Sequence, residues 1–222
     1  MAGILELLFP PQCLICAKPV KRICDECTML IEANHRRIKV DDIDVYAAAV
    51  YGDYLAQIIL LAKEENNSDA RQVLVDLISG QHLLREKLEG STNLLIPIPS
   101  SSRANRKRGF KHSHMLAAKL AKVFIAEFGI HMEVAAVLHV NRRVEDQSLL
   151  NREERSRNLD GAYSISPRHL SERSFGNYSR GFLVDDLVTT GASIREAVRC
   201  LHQAGIRPLG AVCAGVSPHL FS

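Results

Sequence analysis

The segment Phe182-Leu-Val-Asp185-Asp186-Leu-Val-Thr189-Thr190-Gly191-Ala192-Ser193 has the residue types and spacing for chemistry. A hydrophobic run delivers two adjacent carboxylates, and a loop of small and hydroxyl residues follows. Read as a strand entering a helix, it puts Asp185 and Asp186 at the carboxyl edge of a sheet, where ligands bind in open α/β folds. Backbone N–H groups, the hydroxyls of Thr189, Thr190 and Ser193, and the start of the helix suit a phosphate, and Gly191 lets the backbone approach it. The carboxylates repel a phosphate but accept hydrogen bonds from vicinal hydroxyls or hold a hydrated Mg²⁺. The pattern therefore describes a ribose 5-phosphate. The competing reading is a helix cap, since Asp, Ser, Thr and Gly are common there. No G-x-x-x-x-G-K-[ST] loop occurs.

A second group is Cys13-Leu-Ile-Cys16 with Cys24-Asp-Glu-Cys27, a C-x₂-C-x₇-C-x₂-C pattern. Each pair offers two thiolates from one turn, and two turns make a tetrahedral S₄ site suited to structural Zn²⁺. Lys18, Lys21 and Arg22 lie between the pairs and offset the negative charge of such a centre. Disulfides and a redox C-x-x-C are the alternatives; a reducing compartment speaks against the first, and the lack of an evident βαβ junction against the second. Cys200 and Cys213 read as small core residues.

Arg103, Arg106, Lys107, Arg108 and Lys111 form one basic run; Arg142, Arg143, Arg152, Arg155 and Arg157 form another, interleaved with Glu145, Asp146, Glu153 and Glu154. The second run reads as ion-paired surface. The first has no acid in its own stretch and suits polyphosphate, a nucleic-acid backbone or plain solvation, with Phe110 as its one aromatic. His112 and His114 read as exposed residues at a helix start.

These groups need a scaffold. Val45 to Tyr51 reads as a strand; Leu55, Ile58 and Ile59, then Val73, Leu74, Leu77 and Ile78, recur at helical spacing, with Asn66-Asn67-Ser68-Asp69 as a turn or cap between them. Asn93 to Pro99 is a short apolar run, 112–128 a helix stopped by Gly129, and 134–140 a further apolar run. Residues 141–160 are polar, 181–185 a buried strand, 193–204 a helix ended by Gly205, and 209–216 a last strand. Strands alternating with helices predict an α/β fold: a parallel sheet covered on both faces. The expected division is a Cys₄ module over 1–40 and an α/β domain over 41–222.

The chain resembles the ComF/GntX family of type I phosphoribosyltransferases. The carriers are the Asp-Asp-Leu-Val-Thr-Thr-Gly string; Ile96-Pro-Ile-Pro99 followed by Arg103, Arg106 and Arg108-Gly109-Phe110; Gln147, Leu150, Arg155 and Asn158; and the cysteine module, all in the family's order. The resemblance implies a type I phosphoribosyltransferase-like fold and a site for 5-phosphoribosyl-1-pyrophosphate (PRPP) with Mg²⁺. Asp185 and Asp186 would face the ribose hydroxyls and Mg²⁺. Thr189, Thr190, Gly191, Ala192 and Ser193 would hold the 5-phosphate. Pro99 and Ser100 would belong to the pyrophosphate loop, with Arg106, Arg108 and Arg155 nearby. A purine or pyrimidine base would be the acceptor. The alternative is a non-catalytic PRPP or single-stranded-DNA binder working with competence machinery in natural transformation. The chain departs from the family pattern at Lys111-His112, where Asn-Gln is usual, and at Glu64-Glu65-Asn66-Asn67, where an aromatic and a Gly-Asp turn are usual.

Composition sets bounds. The 222 residues are 46% hydrophobic and 24% charged, with a formal net charge of +3, which suits a globular protein rather than a general nucleic-acid coat. No apolar run reaches membrane-spanning length, and the first residues lack a basic leader, so no membrane insertion and a cytoplasmic location are expected.

Overall fold

The computed structural model describes residues 10–32, 35–88, 93–100, 105–106, 108–141, 161–165 and 181–221. Helix α1 (Asp25–Glu32) begins after Cys24 and carries Cys27. A hairpin of β1 (Arg36–Val40) and β2 (Ile43–Val50) leads to α2 (Asp53–Lys63), α3 (Ser68–Ser79) and α4 (His82–Leu88). Then come β3 (Asn93–Pro97), α5 (His112–Phe128), β4 (Met132–Val134), β5 (Leu138–Val140), β6 (Tyr163–Ile165), β7 (Gly181–Val188), α6 (Ala192–Gln203) and β8 (Pro208–Val216).

The main sheet has the order β1-β2-β8-β7-β3-β4. Strands β2, β8, β7, β3 and β4 are mutually parallel, and β1 runs antiparallel to β2 at the edge. The sheet is thus mixed rather than wholly parallel. The two-residue turn at Asp41-Asp42 permits only a hairpin, since parallel strands need a longer crossover. The apolar run 134–140 also divides. Ala135 N donates to Leu95 O and Val137 N to Ala135 O, so the chain turns there, and β5 pairs with β6 in a separate hairpin.

Alternation along each strand builds two cores. Tyr46, Leu95, Phe182, Val184 and Val212 face α2, α3 and α5, where Leu55, Ile58, Leu74, Ile78, Leu116 and Phe124 are buried. Val45, Ala47, Leu94, Leu183, Ala211 and Cys213 face α6, where Ile194, Ala197 and Leu201 are buried. Local signals set the helix ends. Asn67 Oδ1 accepts from the N–H groups of Asp69 and Ala70 at 3.0 and 2.9 Å and starts α3. Gly129, with φ of 65°, ends α5.

The topology prepares a ligand position. From β3 the chain crosses through α5 on one face, and from the adjacent β7 through α6 on the other. Crossovers diverging from neighbouring parallel strands open a crevice at their carboxyl ends. Among the described residues no helix is long and apolar enough to cross a membrane.

Candidate functional site

Strand β7 continues past Asp185 to Val188, further than the sequence suggested. Its pairing with β3 stops at Pro97–Val184, whereas pairing with β8 goes on through Asp185–Cys213 to Val188–Val216. Asp185 and Asp186 therefore project beyond the end of β3 on a strand still held on its other side. Asp185 is half-buried. Asp186 is 2% exposed and faces the helical layer that carries Lys63 and His112.

Lys63, the last residue of α2, places Nζ 2.7 Å from Asp186 Oδ2. His112, the first residue of α5, is 1% exposed, with Nε2 3.7 Å from the same oxygen. The expectation of an exposed His112 is therefore wrong: Phe110 stacks edge-on at 6.2 Å and the helix start turns the imidazole inward. His114 is exposed, as expected. Burial pushes the Asp186 carboxyl up, but Lys63 and then His112 outweigh it and hold it well below the usual range. Burial, then the charge of Asp186, pushes Asp185 well above it. Burial lowers the pKa of His112 against the attraction of Asp186.

Arg108 directs Nε and one terminal nitrogen at Glu64 Oε1, each at 2.8 Å. The first basic run thus has an acid beside it in space that its own stretch lacks. Arg71, buried on α3, donates to Asn66 Oδ1 at 2.8 Å, and its guanidinium lies 5.5 Å from the Phe110 ring centre. Glu64 holds Arg108, and His112 abuts Asp186.

Sequence reasoning missed Lys63, Glu64 and Arg71. A signal existed for two of them. Lys63 follows Ile59 by four residues, and Arg71 precedes Leu74 and Ile78 by three and seven, so both lie on apolar helical stripes.

The loop after β7 has the expected form. Gly191 adopts φ of 76°, and a Cβ there would lie 2.7 Å from Val40 Cγ1, so both conformation and space require glycine. Ala192 N bonds Thr190 Oγ1 at 3.3 Å, and Arg195 ties Thr190 O to Asp41. The cap residue Gly191 has no side chain, Thr190 Oγ1 takes the first N–H, and no acid lies in the first turn of α6, which leaves an electropositive helix end beside Thr189, Thr190 and Ser193.

Across the crevice, Pro99, Ser100, Asn105, Lys111 and His112 line a pocket of about 170 Å³ between β3, α5 and β5. Asn105 Oδ1, Arg108 Nη1 and both ring nitrogens of His112 are buried with no hydrogen-bond partner among the described residues. Arg106 is exposed. Arg103, Lys107, Gln147, Leu150, Arg155, Asn158 and the second basic run lie outside the described residues.

Cys13, Cys16, Cys24 and Cys27 bring their Sγ atoms within 4.8 Å of one another. All six cysteines are free, and Cys16 and Cys24 stand 3.6 Å apart, near the edge of a tetrahedron with metal–sulfur bonds of about 2.3 Å. Burial pushes the Cys13 thiol up, but backbone N–H groups at Cys16, Cys24 and Ile15 outweigh it and bring it to about 6. Burial and the neighbouring thiols push Cys27 up. Four converging thiols with this uneven acidity fit a structural metal ion, which would favour the thiolate form of all four. The module docks on the helical layer: Gln57 donates to Leu14 O at 2.7 Å and Arg22 Nη1 to Asp76 at 3.2 Å.

The described residues thus form a six-stranded mixed sheet flanked by helices, with an acidic strand end and a four-cysteine cluster. Competence protein F of Haemophilus influenzae is 25% identical over 118 residues, covering 52% of this chain and 46% of that protein. The match thus spans about half the length of that relative. No protein-family model matches the chain. Adenine phosphoribosyltransferase from Saccharomyces cerevisiae, solved with an imino-altritol bisphosphate and adenine, aligns over 89% of this chain and 92% of its own at 13% identity and a TM-score of 0.38.

Proposed function

We propose that the chain binds PRPP with Mg²⁺ at the carboxyl end of β7 and transfers the phosphoribosyl group to a nitrogenous base, releasing pyrophosphate. One observation carries this reading. The Asp185-Asp186 pair and the electropositive start of α6, joined by the Gly191 turn, share one strand end at the point where the crossovers diverge. A ribose 5-phosphate needs hydroxyl acceptors and phosphate donors side by side.

Thr189 to Ser193 hold the 5-phosphate through backbone N–H groups and hydroxyls. Asp185 and Asp186 take the ribose hydroxyls and a hydrated Mg²⁺. The donor set fits that ion, because Asp185 is half-buried beside another carboxylate and a divalent cation relieves the charge that pushes it up. When bound, Mg²⁺ neutralises charge on the departing pyrophosphate. Pro99, Ser100, Arg106 and Arg108 face the pyrophosphate, a role that extends to Arg155. The C1–O bond breaks with its electron pair leaving on pyrophosphate, and the base nitrogen supplies the pair for the new C1–N bond and gives up its proton to water. The protein acts mainly by orienting the two substrates. The four cysteines hold Zn²⁺, and the location is cytoplasmic.

The match to competence protein F favours a second reading, a PRPP or single-stranded-DNA binder in DNA uptake. Calorimetric titration with PRPP, with and without Mg²⁺, tests the first. Mg²⁺-dependent binding that Asp185→Asn/Asp186→Asn loses supports it, and no binding by folded wild type rejects it. Base-dependent pyrophosphate release then favours the transferase. DNA retention that needs Arg106, Lys107 and Arg108 but not Asp185 favours the binder.

A further inference from the structure

Two consecutive residues occupy two charged groups of opposite sign. Lys63 ends α2 and Glu64 caps it. The Lys63 ammonium sits 2.7 Å from Asp186, where a carboxylate accepts a metal ion. The Glu64 carboxylate sits 2.8 Å from the Arg108 fork, where a guanidinium accepts a phosphate. Asp186 and Arg108 are both largely buried, so neither ion pair is a freely solvated surface contact.

The Glu64 contact fills Arg108 incompletely. Nε and one terminal nitrogen share the single oxygen Oε1, and the other terminal nitrogen is buried without a partner among the described residues. A phosphate group offers two or three oxygens to such a fork and satisfies more of it. A ligand with a polyphosphate tail and a bound divalent cation would meet Arg108 and Asp186 together, and both are held by one short stretch of chain.

We infer that Lys63-Glu64 is an internal stand-in for a metal–polyphosphate ligand, and that Glu64 sets the affinity of the site by competing for Arg108. Binding exchanges both ion pairs: the anion replaces Glu64 on Arg108, and the metal replaces Lys63 on Asp186. Because the two residues are neighbours at a helix end, displacing one loosens the other. The assignment of PRPP as the ligand rests on the function proposed above, whereas the competition for Arg108 applies to any polyphosphate.

The test is calorimetric titration of the full chain with inorganic pyrophosphate and with PRPP, both in Mg²⁺, using Glu64→Gln, Glu64→Ala, Glu65→Gln and Glu64→Gln/Arg108→Ala. Both Glu64 variants are expected to bind pyrophosphate about five- to tenfold more tightly than wild type. Glu65 is exposed, and its variant makes the same charge change as Glu64→Gln; it is expected to shift affinity by less than about twofold. Arg108→Ala is expected to erase the gain. Unchanged or weaker binding by the Glu64 variants, an equal gain from Glu65→Gln, or a gain that survives Arg108→Ala overturns the inference. The expected pyrophosphate pattern without PRPP binding keeps the inference and rejects PRPP as ligand. PRPP binding with no gain from the Glu64 variants does the reverse. Failure of every form to bind either ligand rejects both.

Discussion

Lys63 and Asp186 are 123 positions apart in the chain, yet their side chains meet at 2.7 Å beneath the acidic strand end. The pair joins the end of α2 to the carboxyl edge of β7 and neutralises a carboxylate that is 2% exposed. Removing one partner leaves the other charge buried. Lys63→Met is expected to cost about 3 kcal/mol or more in urea unfolding. A loss below about 1 kcal/mol would show that Asp186 is satisfied without Lys63.

Acid sensitivity follows from His112. Asp186, Lys63, Arg108 and Arg71 surround it, and burial outweighs the attraction of Asp186, so its folded pKa lies below the ordinary value. Its contribution to stability is complete above the unfolded pKa of about 6.5 and is lost as pH falls below that, because the unfolded chain takes up a proton the folded one resists. Unfolding free energy should fall by up to about 1.4 kcal/mol per pH unit as pH drops below about 6.5. His112→Gln should flatten that slope; parallel profiles for wild type and variant would remove His112 as its cause. Asp186, with its lowered pKa, adds a loss in the same direction below about pH 4.

The cysteine cluster predicts metal content. Purified protein should carry one zinc ion per chain, and Cys27→Ser should lose it. Because the module is tied to α2 and α3 through Leu14 and Arg22, loss of the ion should lower the melting temperature by more than about 4 °C, equivalent to more than about 1 kcal/mol. A metal-free wild type with unchanged melting would refute a structural ion there.

Gly191 offers a backbone test. Alanine must adopt φ of 76° and meet Val40 Cγ1 at 2.7 Å. Gly191→Ala is expected to cost about 1–3 kcal/mol and to weaken PRPP binding by moving the start of α6. Val40→Ala in the same chain should restore part of both by opening space. Wild-type PRPP affinity in Gly191→Ala would show that the loop does not hold the ligand.

Much of this was legible in the chain. Alternating apolar runs and stop signals at Gly129 and Gly205 define helices and strands, because hydrophobic periodicity and glycine conformation are local properties. The cysteine spacing brought four thiols into one cluster for the same reason, since each pair closes within a single turn. The Asp-Asp and Thr-Thr-Gly string lay where a strand enters a helix, as read.

Tertiary structure alone decided how those groups are held. The sheet is mixed because a short turn folds β1 back at the edge, a choice between hairpin and crossover made by chain connectivity. It also decided that His112 is buried, that Lys63 stands under Asp186 and that Glu64 takes Arg108. Those contacts link the end of α2, the segment before α5 and the end of β7, so no local pattern encodes them. A charge on an apolar helical stripe announces that a buried partner exists; the fold names it.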